Sequence, residues 1–146
     1  MVVGWLAAMT LMQQAFGATC ARDPAVELDG TIARTVAAVQ RGDAAGFLNL
    51  VSDDGIALNP EGGQVGFRSL QSQFDSKSGA YCALFICAGK PGELGARFKP
   101  GPVDKQIDVK HGLATVFINA NTNDELDLNY KLNDCRWELT GISAVE

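Results

Sequence analysis

The side chains able to do chemistry in this 146-residue sequence are sparse. There is one histidine, His111, there are four cysteines at positions 20, 82, 87 and 135, and the carboxylates stand singly or in turn sequences. A lone imidazole excludes a His-rich zinc centre. The cysteines form no CxxC pair, and only Cys82 and Cys87 are near neighbours, so neither a thiolate metal site nor any cofactor is expected. Templates for nucleophilic, phosphate-binding and metalloprotease chemistry fail as well, because the chain has no G-x-S-x-G, no P-loop and no H-E-x-x-H. Gly62-Gly63-Gln64-Val65-Gly66 precedes a helix but lacks the lysine of a phosphate cradle and reads as a plain turn. Asn121 to Asp127 carries three carboxylates without the glycine and spacing of a calcium loop, and reads as a solvated turn. Asp53-Asp54-Gly55 and His111-Gly112 are turn sequences first. A cysteine–histidine nucleophile would need Cys82, Cys87 or Cys135 to meet His111 in space.

The cysteines also speak to compartment. Cys82 and Cys87 are expected to close a short disulfide loop across Ala83-Leu84-Phe85-Ile86, which requires a turn or a distorted strand, since strict alternation would send them to opposite faces. Two buried free thiols are the alternative. Residues 1 to 21 contain no charged side chain, and the first charge is Arg22. Val2 to Met12 has the length of a secretory apolar centre. Small-x-small cleavage patterns follow at Ala15-Phe16-Gly17 and Thr19-Cys20-Ala21, although no basic residue precedes the run. Gln13, Gln14 and Gly17 interrupt it before the roughly 20 residues that span a bilayer, so a stable membrane span is not expected. The division expected is a signal peptide over 1–21 and one domain over 22–146, periplasmic or secreted. Twelve basic against seventeen acidic side chains, a net charge of -5, is the wrong sign for holding nucleic acid.

Helices should come first and strands later. From Pro24, Leu28, Ile32, Val36 and Val39 recur on one helical face, and Gly42 ends the run. Asp43 can cap a short helix carrying Phe47, Leu48 and Val51. Ile56 to Leu58 reads as a brief strand, Asn59 to Gly63 as a wide turn, and Phe67, Leu70 and Phe74 as the face of a third helix closed by a left-handed Gly79. Beyond Pro102 the period becomes two. Ile107 and Val109 open a strand, Leu113 to Ala120 follows after the His111-Gly112 turn, and Leu126 to Leu132 alternates cleanly with Asp127, Asn129 and Lys131. Asn133-Asp134 is placed as a tight hairpin, Arg136 to Val145 as its return strand, and Gly141 as a bulge. The fold class expected is α+β, with helices covering one face of a sheet of about four strands.

The stretch Val39-Gln40-Arg41-Gly42-Asp43-Ala44-Ala45-Gly46-Phe47, leading to Ser52-Asp53-Asp54-Gly55, resembles one end of an NTF2-like domain. The ending Tyr130-Lys131-Leu132-Asn133-Asp134-Cys135-Arg136-Trp137-Glu138-Leu139-Thr140-Gly141-Ile142 resembles the other, and the likeness in element order spans residues 26 to 146. Gly79 to Pro102 departs from it. The resemblance implies an NTF2-like (cystatin-like) cone, N-terminal helices packed on a curved antiparallel sheet, which often encloses a small apolar ligand; in such a cone Phe74, Tyr81, Tyr130 and Trp137 would line the pocket. It also implies that a homodimer through the sheet face is to be considered. An isomerase of the SnoaL or ketosteroid-isomerase type needs an inward base, yet Asp108, Asp127 and Glu138 all take the outward parity. No catalytic residue is therefore assigned. The reading adopted is an exported noncatalytic domain that binds a small apolar ligand or a protein partner. A SnoaL-type enzyme, and an inhibitor or immunity protein presenting Asp124, Glu125 and Asp127 to a basic partner, are the alternatives.

Overall fold

The structure is a computed structural model that describes residues 19–59 and 63–145. Most of the expected signal segment, residues 1–18, lies outside the described residues. Helix α1, Pro24–Arg41, begins where Asp23 accepts the amide of Ala25 and proline supplies a preset first-turn φ. Glu27 in its first turn and Arg41 in its last complement the helix dipole. Gly42, at φ 67°, ends it with its amide on the carbonyls of Ala38 and Val39. Leu28, Ile32 and Val39 are buried, as their spacing predicts. Asp43 then caps α2, Ala44–Leu48, through the amide of Gly46, and α2 buries Phe47 completely.

The strands are β1 Ile56–Asn59, β2 Gly63–Val65, β3 Val103–Asp108, β4 Leu113–Ile118, β5 Leu126–Asn133 and β6 Arg136–Ala144, with α3 at Phe67–Asp75 and α4 at Ala80–Leu84. They form one open sheet in the order β2-β1-β6-β5-β4-β3, antiparallel throughout except where β1 runs parallel to β6. The α+β arrangement is the one expected. Alternation on β5 puts Leu126, Leu128 and Tyr130 under the helices together with Trp137, Leu139 and Ile142 from β6, all at most 1% exposed. A register shift at Asn129/Tyr130 pairs Gly141 with Asn129 but Leu139 with Tyr130, leaving Thr140 as the extra residue of a bulge beside the expected Gly141.

Several expectations need correction. The sheet has six strands, because β1 and β2 add to its edge through the parallel pairing with β6, preceded by Leu50–Ser52 lying on Leu139. Gly63–Val65, read as part of a turn, is an edge strand on β1. Gly79 does not close α3 with a left-handed cap. The helix stops at Ser76, and Gly79 (φ 55°, ψ -119°) instead opens α4, next to Ala80, whose amide is taken by Gln73 Oε1. The hairpin turn is Asp134-Cys135, one residue later than expected, with φ 46° and 61°. Strand β3 starts at Val103 and stops before Val109, and β4 stops at Ile118 because Asn119 turns the chain at φ 55°. Arg97 Nη1 donates to the carbonyls of Asn123, Glu125 and Val145, which ties the glycine- and proline-rich segment after α4 to the end of the sheet.

Both cysteine pairs are joined. Cys82 and Cys87 bond across 5.2 Å between Cα atoms; helix α4 ends at Leu84 and extended Phe85 supplies the required change of direction. Cys20 bonds to Cys135, 115 residues away, so the chain ahead of α1 is fastened to the β5–β6 turn.

Candidate functional site

Under the helices, the polar groups of the sheet's inner face are committed within the protein. Tyr130 Oη donates to Thr35 Oγ1 at 3.0 Å, and Thr35 Oγ1 donates in turn to the Thr31 carbonyl at 2.9 Å. Burial holds the Tyr130 phenol well above its ordinary range, only partly offset by the Thr35 contact, so it stays neutral. Trp137 Nε1 donates to the Pro24 carbonyl at 2.8 Å. Phe74, Tyr81, Phe85 and Phe47 form an aromatic cluster with ring centroids 5.0–6.0 Å apart, Phe74 and Phe85 edge to face. The four residues assigned to a pocket are thus in two places, Phe74 and Tyr81 in the cluster, Tyr130 and Trp137 beneath α1.

One concavity opens beside α1. It is a cleft of about 560 Å³ between α1, α2 and the start of β6, lined by Glu27, Arg34, Ala37, Ala38, Arg41, Asp43, Gly46, Asn49, Leu50, Arg136 and Trp137. Of the expected pocket residues only Trp137 borders it. The spacing of α1 builds one wall: Glu27, Arg34 and Arg41 are seven residues apart, two turns of helix, and therefore share a face. Leu50, held against β6 by the bond from the Leu139 amide to its carbonyl, builds the other. Arg136 closes that wall by donating from Nη2 to the Asn49 carbonyl. Glu27 pairs with Arg34 at 3.4 Å and Arg22 at 3.8 Å, and Asp43 is occupied as the α2 cap. Arg41 has no hydrogen-bond or ion-pair partner among the described residues. The sequence reading missed these arginines, although the seven-residue spacing on α1 was there to be read.

The remaining candidates are scattered. His111 Nδ1 and Asp108 Oδ2 are 2.6 Å apart at the exposed β3–β4 turn, and this hydrogen bond lowers the Asp108 carboxyl below its usual range. Asp53 and Asp54 are exposed in the turn before β1. Asp127, on the face of β5 away from the helices, has its carboxyl raised by burial and by nearby Glu125, and its Oδ1 is buried without a partner. Among the described residues, no three His, Cys, Asp or Glu side chains gather as a metal site, and no helix is long and apolar enough to cross a membrane.

No protein-family model and no curated protein matches this chain. Among solved structures, it is similar to an NTF2-like protein of unknown function from Shewanella oneidensis MR-1, at 13% identity and a TM-score of 0.46, over 83% of this chain and 98% of that one. It is also similar to an NTF2-like protein of unknown function from Pseudomonas putida KT2440, at 14% identity and a TM-score of 0.48, over 81% and 82% of the two chains.

Proposed function

We propose that this chain is an exported, noncatalytic binding domain that takes a small ligand in the cleft between α1, α2 and the start of β6. The observation that carries the reading is where polar capacity is spent. Tyr130, Thr35 and Trp137 are satisfied inside the protein and leave no group to move a proton on a substrate there, whereas the cleft keeps arginine donors facing an open concavity. Its volume is of the order that encloses a small molecule. Half-buried Ala37 and Leu50 offer the apolar surface. The test is chemical-shift mapping with uncharged ring compounds such as indole and cyclohexanol. Saturable shifts at Gly46 and the Trp137 indole are expected, and shifts confined to Phe74 and Tyr81 would move the site to the aromatic cluster.

Export is supported by two disulfides within one small chain, since such bonds persist in oxidising compartments. The partnership of Cys20 with Cys135 bears on processing. Cleavage after Ala21 would discard a bonded cysteine, so the Ala15-Phe16-Gly17 pattern is the processing site in this reading, with a mature chain beginning at Ala18. Intact mass of the protein from its native compartment, alkylated before and after reduction, checks both points. The expected species starts at Ala18 and takes up alkyl groups only after reduction. A full-length chain alkylated at every cysteine without reduction would overturn export.

A further inference from the structure

Charge is distributed unevenly over this acidic molecule. The whole chain carries -5, yet the cleft gathers three guanidinium groups, Arg34, Arg41 and Arg136, around two carboxylates, Glu27 and Asp43. Both carboxylates are already engaged, Glu27 by Arg34 and Arg22 and Asp43 by the Gly46 amide. Of the arginines, Arg34 is turned to Glu27 and Thr31, and Arg136 uses Nη2 on the Asn49 carbonyl. Arg41 is the uncommitted one among the described residues.

We infer that the cleft recognises a monocarboxylate with a small apolar body, its carboxylate held by Arg41 and the remaining donors of Arg136 and its body against Ala37 and Leu50. This rests on the cleft being the binding site. A guanidinium presents two parallel N–H donors that match the two oxygens of a carboxylate, and charge-assisted bonds of this kind are the strong ones. The net single positive charge of the lining favours a monoanion. A doubly charged phosphate would exceed that single net charge and share the cleft with Glu27 and Asp43. Trp137 borders the cleft, whereas Tyr130, Phe74, Tyr81 and Phe85 do not line it.

The experiment compares benzoate with benzamide, a neutral compound of the same shape, by titration of the oxidised full-length protein with amide and indole shifts as the readout. Benzoate is expected to give saturable shifts at Gly46, Arg136 and the Trp137 indole, with benzamide weaker by about tenfold or more. Arg41→Gln should cost benzoate about tenfold and leave benzamide unchanged, and because Arg41 makes no hydrogen bond or ion pair among the described residues, the variant loses only its small contribution at the end of α1 and should keep the fold. Arg136→Gln should act in the same direction. Equal binding of the two compounds, or benzoate binding unaffected by Arg41→Gln, would overturn the carboxylate assignment while leaving the cleft as a binding site. Shifts from indole or cyclohexanol but not from benzoate would do the same. No shift in the cleft from any of the four compounds would remove the binding reading along with it.

Discussion

Asp127 pairs across the sheet with Phe117 on β4 and Ser143 on β6, and its buried Oδ1 has no donor. Burial and the charge of Glu125 both raise its pKa, so the folded chain holds this proton more tightly than the unfolded one. The sign follows from linkage: stability falls as pH rises from the unfolded value through the raised folded value, and the full penalty stands above it. Asp127→Asn should therefore raise the urea midpoint at neutral pH and remove that segment of the pH dependence. An unchanged midpoint would mean that the carboxylate finds solvent. Tyr130 poses the opposite case, a buried polar atom with its partner in place. Tyr130→Phe should cost about 1 kcal/mol by urea denaturation, and a cycle with Thr35→Val should show the two losses to be coupled.

The elements differ in how they are fastened. Cys20–Cys135 closes a loop of 115 residues and Cys82–Cys87 one of 5. If disulfides act mainly on the unfolded chain, removing the first with Cys20→Ser/Cys135→Ser should cost about 4–5 kcal/mol and removing the second about 2 kcal/mol. Equal losses, read from denaturation of the two double variants, would show that native-state geometry outweighs chain entropy. The first bond also holds the turn that carries Arg136 and Trp137 against α1, so its loss should loosen the cleft. Asp43→Ala removes the α2 cap, for about 1 kcal/mol, and the effect should be confined to the α2 amides in hydrogen exchange.

Across the whole molecule, three ties join the N-terminal helix to the C-terminal hairpin: Cys20 to Cys135, Pro24 to Trp137 and Thr35 to Tyr130. They bridge 95 to 115 residues and fall on the two central strands and the turn between them. The molecule should accordingly open as one unit, with amides of α1, β5 and β6 sharing the slowest class of hydrogen exchange. Exchange of α1 well ahead of β5 would show that the helix is a separate unit, and that the ties stabilise the hairpin alone.

What was legible beforehand follows from burial being one-sided. The face of α1 through Leu28, Ile32 and Val39, and the alternation of β5, are periodic because one side of each element is buried, and that pattern needs no partner to be read. The roles of Gly42 and Asp43 were legible because the backbone groups they serve lie within a few residues, whereas the Asp23 cap was seen only in the structure. The sequence by itself determined the α+β class and the order of helices α1 to α3 and of the strands after Pro102, and it offered the Cys82–Cys87 loop beside a free-thiol alternative, while β2 and α4 went unread. Only the tertiary structure decided that β1 runs parallel to β6, that Cys20 is bonded to Cys135, and that Arg34 and Arg41 meet Arg136 across one cleft. Each of these is a meeting of residues far apart along the chain. Such meetings are set by how whole elements pack and leave no periodic trace in either segment alone.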